Sequence, residues 1–290
     1  MCHKNLPTAK TVKDDEFYTR VEDVMCEVVK YKNHLKGKIV YCNCDNAESA
    51  FTWFFTTYFH VFGIKRLYCT GLAGFCLEYD GNRTKKRRID GDFRSPNCRE
   101  ILAKSEIVIT NPPFSLFREW LTVVGAKDFL VIGNKNAITC KELFPQIQSG
   151  RVMLGYSKPS LFYRPDGSLT DKLQGLCRWF TTLQVNDKPT WMPTCSYNGQ
   201  FLQYDHYPAI NVDSVKEIPA DYKGLMGVPI TFLDCIDYST YEIVDLIYRY
   251  AVLDKSYGVK GSQLTEIDGQ PKYSRLIIRK KHNSINTFNA

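Results

Sequence analysis

The first half of the chain alternates between short apolar runs and longer stretches in which apolar residues recur every three or four positions. The short runs predict strands, and the periodic stretches predict helices. The predicted strands are 38–42, 65–70, 106–110, 128–132 and 152–156, and the predicted helices are 21–31, 47–62, 97–104, 116–124 and 141–148. Strands and helices that alternate at this spacing favour an α/β fold with a doubly wound, largely parallel sheet.

The helix predicted over 47–62 has one aromatic face. Its aromatic residues follow one another at helical spacing, which places their rings on one side of the helix. We therefore assign the stripe to the core rather than to a surface that stacks on a ligand. The residues concerned are Phe51, Phe54, Phe55, Tyr58 and Phe62.

A hairpin with a strongly basic second strand is predicted in the same half of the chain. The tight-turn sequence Asp80-Gly81-Asn82 separates the runs 76–79 and 86–89. Two interpretations of the basic residues are open: charges that prevent edge-to-edge pairing of the strand, or contacts to phosphate groups. This densest basic cluster consists of Arg83, Lys85, Lys86, Arg87 and Arg88.

The sequence changes character after about residue 185. Helical periodicity fades, and prolines interrupt short stretches that are rich in tyrosine. This pattern predicts a smaller, irregular, β-rich carboxyl-terminal region, which closes with a strand over 273–281. We accordingly predict two domains, over residues 1–185 and 186–290.

Composition indicates a globular protein with an excess of positive charge. Of the 290 residues, 44% are hydrophobic and 24% are charged, and the formal net charge is +7. This charge is compatible with a polyanionic partner such as nucleic acid, and equally with a solvated basic surface. No apolar run approaches the ~20 residues of a membrane span, and no secretory segment opens the sequence. We therefore expect a cytoplasmic protein without a membrane partner.

The eleven cysteines do not follow a metal-binding pattern. Cys42 and Cys44 are separated by a single residue, and no two cysteines have two residues between them. Paired zinc ligands are usually spaced two to four residues apart. We expect reduced thiols and no metal site.

The most informative segment is Asn111-Pro112-Pro113-Phe114, which directly follows the apolar run 106–110. Open α/β sheets bind their ligands at the carboxyl ends of the strands. The two prolines fix φ twice and supply no N–H donor, and the residue before a proline is held extended. The result is a rigid turn that presents an amide, carbonyl oxygens and an aromatic face. We take these four residues as the candidate catalytic group.

This turn is suited to group transfer onto an exocyclic ring amine, as in adenine. The lone pair of such an amine is delocalised into the ring. Two acceptors aimed at its hydrogens, the Asn111 side-chain oxygen and the Pro112 carbonyl, favour a tetrahedral nitrogen with a localised lone pair. The Phe114 ring offers a stacking face. A base in a duplex must leave the stack to reach such a pocket, so the turn implies base flipping.

Residues near other strand ends are candidates for binding a nucleoside-type methyl donor. An acidic group after the first strand can bind the amine or ribose of a nucleoside. Asp92 can accept a hydrogen bond from an adenine amine, Phe93 can pack on the adenine ring, and the residues before the first helix can close over the ligand. The candidates are Tyr18, Thr19, Asn43, Asp45, Asp92 and Phe93.

Six segments together resemble DNA adenine-N6 methyltransferases that use S-adenosylmethionine, and more narrowly the EcoRI-type modification methylases. The Asn-Pro-Pro-Phe and Gly-Asp-Phe segments are typical of amino-group methyltransferases in general, whereas the later segments point to the narrower family. The segments are DEFYT at 15–19, Cys44-Asp45, GDFRS at 91–95, the tetrad at 111–114, RWFTTL at 178–183 and GVPITFLD at 227–234.

The resemblance implies a Rossmann-like methyltransferase sheet, S-adenosyl-L-methionine as cofactor and double-stranded DNA as substrate. It also implies a cognate restriction endonuclease as a genetic partner only. The cofactor segments precede the catalytic tetrad, which is the γ order of such enzymes, and residues 186–290 would recognise the DNA site. By the resemblance, the target base is held by Asn111, Pro112 and Phe114, and the cofactor by Tyr18, Thr19, Asp45, Asp92 and Phe93.

The sequence departs from the family pattern around the cofactor. The glycine-rich loop is absent, Asp45-Asn46 stands where relatives often carry Asp-Pro, and Thr70-Gly71 ends the second strand in place of an acidic residue. A second aromatic face for the flipped base has four candidates, which are Phe162, Tyr163, Trp179 and Phe180.

Two other functions are open at this point. A methyltransferase that acts on a protein glutamine amide faces the same lone-pair problem and can use the same turn. Such enzymes usually carry a glycine-rich cofactor loop and an amino-terminal helical domain, and this sequence has neither. A non-catalytic nucleic-acid-binding protein would not need to keep both the Asn111 amide and the Phe114 ring.

Overall fold

The computed structural model describes residues 17–186, 188, 191–248 and 261–281, with the backbone alone at 261 and 262. It has a mixed α/β architecture. The described chain forms two compact units. The first comprises the residues up to Leu143 together with Val152–Val185, and the second comprises Phe144–Arg151 together with the residues from Asn186 onward.

Short helices and strands alternate along the chain. The α-helices are α1 (Val21–Val28), α2 (Lys32–Leu35), α3 (Ala50–Thr57), α4 (Phe59–Phe62), α5 (Pro96–Lys104), α6 (Phe117–Val124) and α7 (Phe144–Gln148). The 3-10 helices are Val29–Tyr31, Phe114–Leu116, Lys135–Thr139, Val215–Glu217, Ile230–Asp234 and Gly261–Thr265. The strands of the first unit are β1 (Tyr18–Thr19), β2 (Ile39–Cys42), β3 (Arg66–Gly71), β4 (Phe75–Tyr79), β5 (Thr84–Arg88), β6 (Ile107–Thr110), β7 (Asp128–Asn134), β8 (Met153–Leu154), β9 (Phe162–Tyr163), β10 (Leu169–Thr170) and β11 (Cys177–Thr181). The strands of the second unit are β12 (Ala209–Asn211), β13 (Leu225–Pro229), β14 (Tyr241–Ile247), β15 (Glu266–Ile267), β16 (Gln270–Pro271) and β17 (Arg275–Lys280).

The centre of the first unit is an eight-stranded sheet in the order β5-β4-β3-β2-β6-β7-β11-β8. The four middle strands are parallel to one another. The two strands at each edge are antiparallel to their neighbours. The sheet is therefore mixed rather than largely parallel. Short turns join β3 to β4 and β4 to β5, and a short turn can only reverse the direction of the chain.

The carboxyl ends of the parallel strands lie at the same edge of this sheet, here called the carboxyl edge. The segments that begin at Asn43, Leu72 and Asn111 leave β2, β3 and β6 at this edge. It is the place where the sequence pattern predicted the candidate residues to meet.

The predicted aromatic stripe belongs to the core, as expected. Phe51, Phe54, Phe55 and Phe62 are at most 4% exposed, and Tyr58 packs against the same cluster. The predicted single helix over 47–62 is divided into α3 and α4, because Tyr58 leaves the helical conformation at φ −103° and ψ 17°.

The strand predicted over 152–156 is short for a physical reason. Glu27 of α1 is fully buried, and its carboxylate accepts hydrogen bonds from the main-chain N–H groups of Tyr156 and Ser157 at 2.8 and 2.6 Å. These donors are therefore satisfied by a helix side chain rather than by a neighbouring strand, and β8 ends at Leu154.

Three smaller sheets complete the described structure. In the first unit, β1, β9 and β10 form an antiparallel sheet with Tyr18 opposite Tyr163 and Thr19 opposite Phe162. The second unit contains a four-stranded sheet in the order β12-β13-β17-β14, together with the pair β15 and β16. No helix in the described part of the chain is both long and apolar enough to cross a membrane.

Candidate functional site

Asn111 lies at the carboxyl edge directly after β6, and its side-chain amide is held in one orientation. Its Nδ2 donates a hydrogen bond to the main-chain carbonyl of Phe17 at 2.8 Å. A carbonyl oxygen can only accept, so the amide nitrogen must face Phe17 and the amide oxygen must point elsewhere. That oxygen, Oδ1, is buried and has no hydrogen-bond partner among the described residues. The edge therefore contains a buried acceptor that is available to a donor.

The rest of the tetrad forms a rigid turn that Phe17 supports. Pro112 is buried, and Pro113 begins the 3-10 helix Phe114–Leu116 with φ −53° and ψ 130°. The Phe114 ring is half-buried and stacks on the Phe17 ring, with centroids 6.4 Å apart and planes inclined by 23°. Phe17 thus orients the Asn111 amide with its carbonyl and holds the Phe114 ring with its side chain.

Asp45 lies at the same edge, after β2, and only 4% of it is exposed. Its Oδ2 accepts a hydrogen bond from Thr110 Oγ1 at 2.7 Å. Burial raises the pKa of the Asp45 carboxyl to about 7, although hydrogen bonds from Thr110 and Ser49 oppose the increase. Because Thr110 immediately precedes Asn111, the Asp45 carboxyl is linked to the candidate catalytic turn through one side chain.

The segment before α5 packs directly on the end of β3. A Cβ atom on Gly91 would overlap the main chain of Gly71, and one on Gly71 would lie only 3.2 Å from the main-chain nitrogen of Asn46. The main-chain N–H of Asp45 also donates to the Thr70 carbonyl at 2.7 Å. Glycine permits this close approach of three chain segments, which brings the neighbourhoods of Asp45 and Asp92 together.

Asp92 is engaged by Arg94. Asp92 Oδ1 accepts from the main-chain N–H and from Nε of Arg94 at 2.8 and 2.9 Å, and Oδ2 accepts from a guanidinium N–H at 2.7 Å. These hydrogen bonds lower the pKa of Asp92. A carboxylate offers about four lone-pair sites, so about one remains for a ligand. The Arg94 guanidinium also lies 5.4 Å from the ring centroid of Phe93, which is 5% exposed.

The three remaining cofactor candidates lie in different environments. The Thr19 Oγ1 is buried without a partner in the described part of the chain. Tyr18, its neighbour, is 41% exposed. Asn43 is 1% exposed, and its Oδ1 accepts a hydrogen bond from the Trp120 indole N–H of α6 at 3.0 Å. Its amide oxygen anchors α6 to the end of β2.

Three of the four candidates for a second aromatic face belong to the core. Phe162, Trp179 and Phe180 are fully buried. Tyr163 is 39% exposed and stands beside Tyr18 on the solvent face of the small sheet.

Sequence reasoning overlooked three residues that shape the edge. Phe17 and Thr110 directly precede residues that were chosen as candidates, and Arg94 follows Asp92 by two positions. The hydroxyl of Thr110 at the end of an apolar run was the clearest available signal. Within the described residues, no group of three or more His, Cys, Asp or Glu side chains is arranged to hold a metal ion, and the ten cysteines among these residues are free thiols.

Comparisons with known proteins give one consistent result. Residues 5–86 and 78–281 match the model of the family described as Adenine-specific methyltransferase EcoRI. The Type II methyltransferase M.MpnI of Mycoplasma pneumoniae is 35% identical over 96% of this chain and 98% of its own length. The Type II methyltransferase M.EcoRI of Escherichia coli is 34% identical over 96% of this chain and 97% of its own length. No solved structure gave a significant match.

Proposed function

This chain belongs to the adenine-specific methyltransferase EcoRI family, and from that premise we propose that it methylates the N6 amine of an adenine in double-stranded DNA. The methyl donor in this proposal is S-adenosyl-L-methionine. The observation that carries the proposal is the Oδ1 of Asn111, which is buried and has no partner among the described residues, while the hydrogen bond from Nδ2 to Phe17 fixes the amide that starts the Pro-Pro turn. The adenine specificity named in the family description favours a DNA base over a protein glutamine amide.

Asn111 and Pro112 activate the amine by accepting hydrogen bonds from its two N–H groups. The Asn111 oxygen and the Pro112 carbonyl draw the nitrogen towards tetrahedral geometry, which localises its lone pair. S-adenosyl-L-methionine would supply an electrophilic methyl group, so the localised lone pair would form the new N–C bond while the electron pair of the broken S–C bond would leave with sulfur. The cationic nitrogen loses a proton readily to water. No strong general base is needed, which agrees with the amide and proline residues of the turn.

Phe114 supplies the stacking surface for the target base. Its ring is partly accessible and is held by the Phe17 ring behind it. Stacking on an aromatic ring contributes about 1–3 kcal/mol per base, which offsets part of the cost of taking the adenine out of the duplex. Base flipping is therefore part of the proposal.

The polar groups at the carboxyl edge fit S-adenosyl-L-methionine. Thr19 Oγ1 is a buried hydroxyl without a partner among the described residues, and the buried Asp45 carboxyl is a strong acceptor when ionised. The cofactor supplies an electrophilic methyl group on a sulfonium centre. Asp92 and Phe93 would bind its adenine, Asp45 would bind an amine or hydroxyl, and the β1 residues Tyr18 and Thr19 would cover it.

The central sheet provides a frame of the Rossmann-like methyltransferase kind in this proposal. Adjacent residues of a strand point to opposite faces, and Trp179 and Phe180 of β11 contact different helices. Trp179 packs edge-to-face on Phe51 of α3, whereas Phe180 packs on Phe117 of α6. A helix contact on each face of β11 supports the doubly wound arrangement that we propose.

We assign the catalytic role to residues 1–185 and recognition of the DNA site to residues 186–290. The relatives named Type II methyltransferase support a role beside a cognate restriction endonuclease, which would be a genetic partner and not a bound subunit.

We expect the Asp92→Ala substitution to weaken binding of S-adenosyl-L-methionine by about 10- to 100-fold, because hydrogen bonds to a charged group contribute about 1.5–3 kcal/mol. Isothermal titration calorimetry measures this affinity. Glu119→Gln is the matched control, since it removes the other carboxylate that binds Arg94 and leaves Asp92 in place. An Asp92→Ala protein with wild-type affinity would exclude Asp92 from the adenine site.

Sequencing that detects methylated bases tests the proposed function directly. DNA from cells that express the chain is expected to carry N6-methyladenine at one recurring sequence, and DNA from cells that express Asn111→Ala is expected to carry none. Methylated cytosine, or methylated protein glutamine with unmodified DNA, would overturn the proposal.

A further inference from the structure

Strand β5 forms one edge of the central sheet and is covered with positive charge. All five of its residues, Thr84–Arg88, are exposed. Five of the six residues from Arg83 to Arg88 are basic, whereas the net charge of the whole chain is +7. A large share of the excess positive charge is therefore concentrated on one strand and its turn.

Among the described residues, no carboxylate forms an ion pair with the basic side chains of β5, although Glu78 lies opposite Lys85 in the neighbouring strand. Elsewhere in the first unit, Arg66 pairs with Glu78, Arg94 with Asp92, and Arg118 with Glu142. In the part of the chain that the structure describes, none of the five bases at 83–88 forms an ion pair. Uncompensated cations on one edge attract a polyanion rather than a small ligand.

Strand β5 also leads to the carboxyl edge. It is antiparallel to β4, which is antiparallel to β3, so β5 runs in the same direction as the parallel strands. Arg88 is therefore its end nearest to the carboxyl edge, and Ile89 N–H bonds the Gly74 carbonyl there at 3.2 Å. Four strand spacings separate β5 from β6, about 19 Å at ~4.8 Å each. This distance corresponds to about six base pairs of duplex, at ~3.4 Å per base pair along each strand.

We propose that β5 binds the phosphate backbone of the duplex that flanks the target adenine, about half a helical turn from it. The proposal rests on the function proposed above and adds a second, sequence-independent contact to the same substrate. Protection of a sheet edge needs only one or two charges. It therefore does not account for five cations within the six residues from Arg83 to Arg88. Phosphate contacts on both faces of the strand do account for them.

The test compares wild-type protein with the Lys85→Gln/Lys86→Gln variant on two unmethylated duplexes. Both duplexes contain the sequence that the protein methylates. One duplex has about ten flanking base pairs on each side, and the other has about three, too few to reach β5 by the distance above. On the longer duplex the variant is expected to bind at least about tenfold more weakly. The slope of log K against log salt should fall by about 2, because two phosphate contacts are lost. On the shorter duplex its affinity and kcat should equal those of the wild type.

The matched control is Lys36→Gln/Lys104→Gln, which removes the same charge. Lys36 precedes β2 and Lys104 precedes β6, so both exposed side chains lie at the opposite edge of the sheet. This control is expected to keep the wild-type salt slope. If the β5 variant binds the longer duplex with the wild-type affinity and the wild-type slope of log K against log salt, the proposal is overturned. Equal losses on both duplexes would also overturn it. If the variant methylates the short duplex, the variant is folded, and the proposed methyltransferase function holds whether or not β5 binds the duplex.

Discussion

Replacement of Asn111 by alanine is expected to abolish methyl transfer, with a loss in kcat of at least roughly 10²–10³-fold. The substitution removes the buried Oδ1 that would accept a hydrogen from the target amine, and it removes the hydrogen bond to the Phe17 carbonyl that fixes the turn. Binding of S-adenosyl-L-methionine is expected to change little, since the residues assigned to the cofactor lie in other segments. Single-turnover methylation and calorimetry separate the two effects.

Asn33→Ala provides the control for Asn111→Ala. Asn33 is an exposed amide in α2, so its removal is expected to leave kcat, cofactor affinity and melting temperature at wild-type values. A methyl-transfer rate near wild type in Asn111→Ala would show that Asn111 is not the acceptor. A joint loss of transfer and of cofactor binding would instead show that Asn111 maintains the whole carboxyl edge.

The position of Asn111 could be predicted from the sequence, but its orientation could not. An apolar run followed by Asn-Pro-Pro-Phe places the residue at a strand end through purely local rules. The partner that orients it, Phe17, is 94 residues away in sequence. Hydrophobic periodicity does not specify which distant carbonyl meets a given amide, because that depends on how β1 and β6 are assembled.

The contrast between Asn43 and Asp45 shows the same limit within one loop. Both follow β2 and both are polar, so the sequence offered the same role to each. In the structure, the Asn43 oxygen is used by Trp120, whereas the Asp45 carboxyl meets Thr110. The different partners of Asn43 and Asp45 depend on donors from α6 and β6. The loop sequence alone does not specify these partners.

Strand direction is also absent from the hydrophobic pattern. Strands β7 and β11 are both largely buried, yet they are antiparallel to one another. The short turns around β4 are sequence signals for reversal, and the hairpin at Asp80-Gly81-Asn82 was predicted correctly from them. The reversal before β11 follows a long segment, 155–176, whose turn sequence Pro165-Asp166-Gly167 joins β9 to β10 in the small sheet and leaves the direction of β11 unspecified.

Asp45→Asn is expected to change how the stability of the protein depends on pH. Burial raises the pKa of Asp45 from 3.8 to about 7, so the folded protein holds this proton more tightly than the unfolded chain does. Between these values the folded state binds more protons, and the free energy of unfolding therefore falls as pH rises. This contribution is complete below pH ~4, is lost above pH ~7, and amounts to about 4 kcal/mol. The asparagine has no proton to lose, so the variant should gain stability relative to wild type by up to this amount between pH 4 and 8.

Urea unfolding of both proteins at several pH values measures the difference. Asp166→Asn is the control, because Asp166 is an exposed carboxylate whose pKa is lowered by hydrogen bonds from Ser168, and its contribution should have the opposite sign and be small. A constant difference between wild type and Asp45→Asn across the range would mean that Asp45 ionises normally and is reached by water. The expected slope would mean that this strong acceptor is neutral in the free protein at slightly acid pH. A cationic ligand that binds beside it would then favour its ionisation, so binding of the proposed cofactor would be coupled to the loss of a proton next to Thr110 and the candidate catalytic turn.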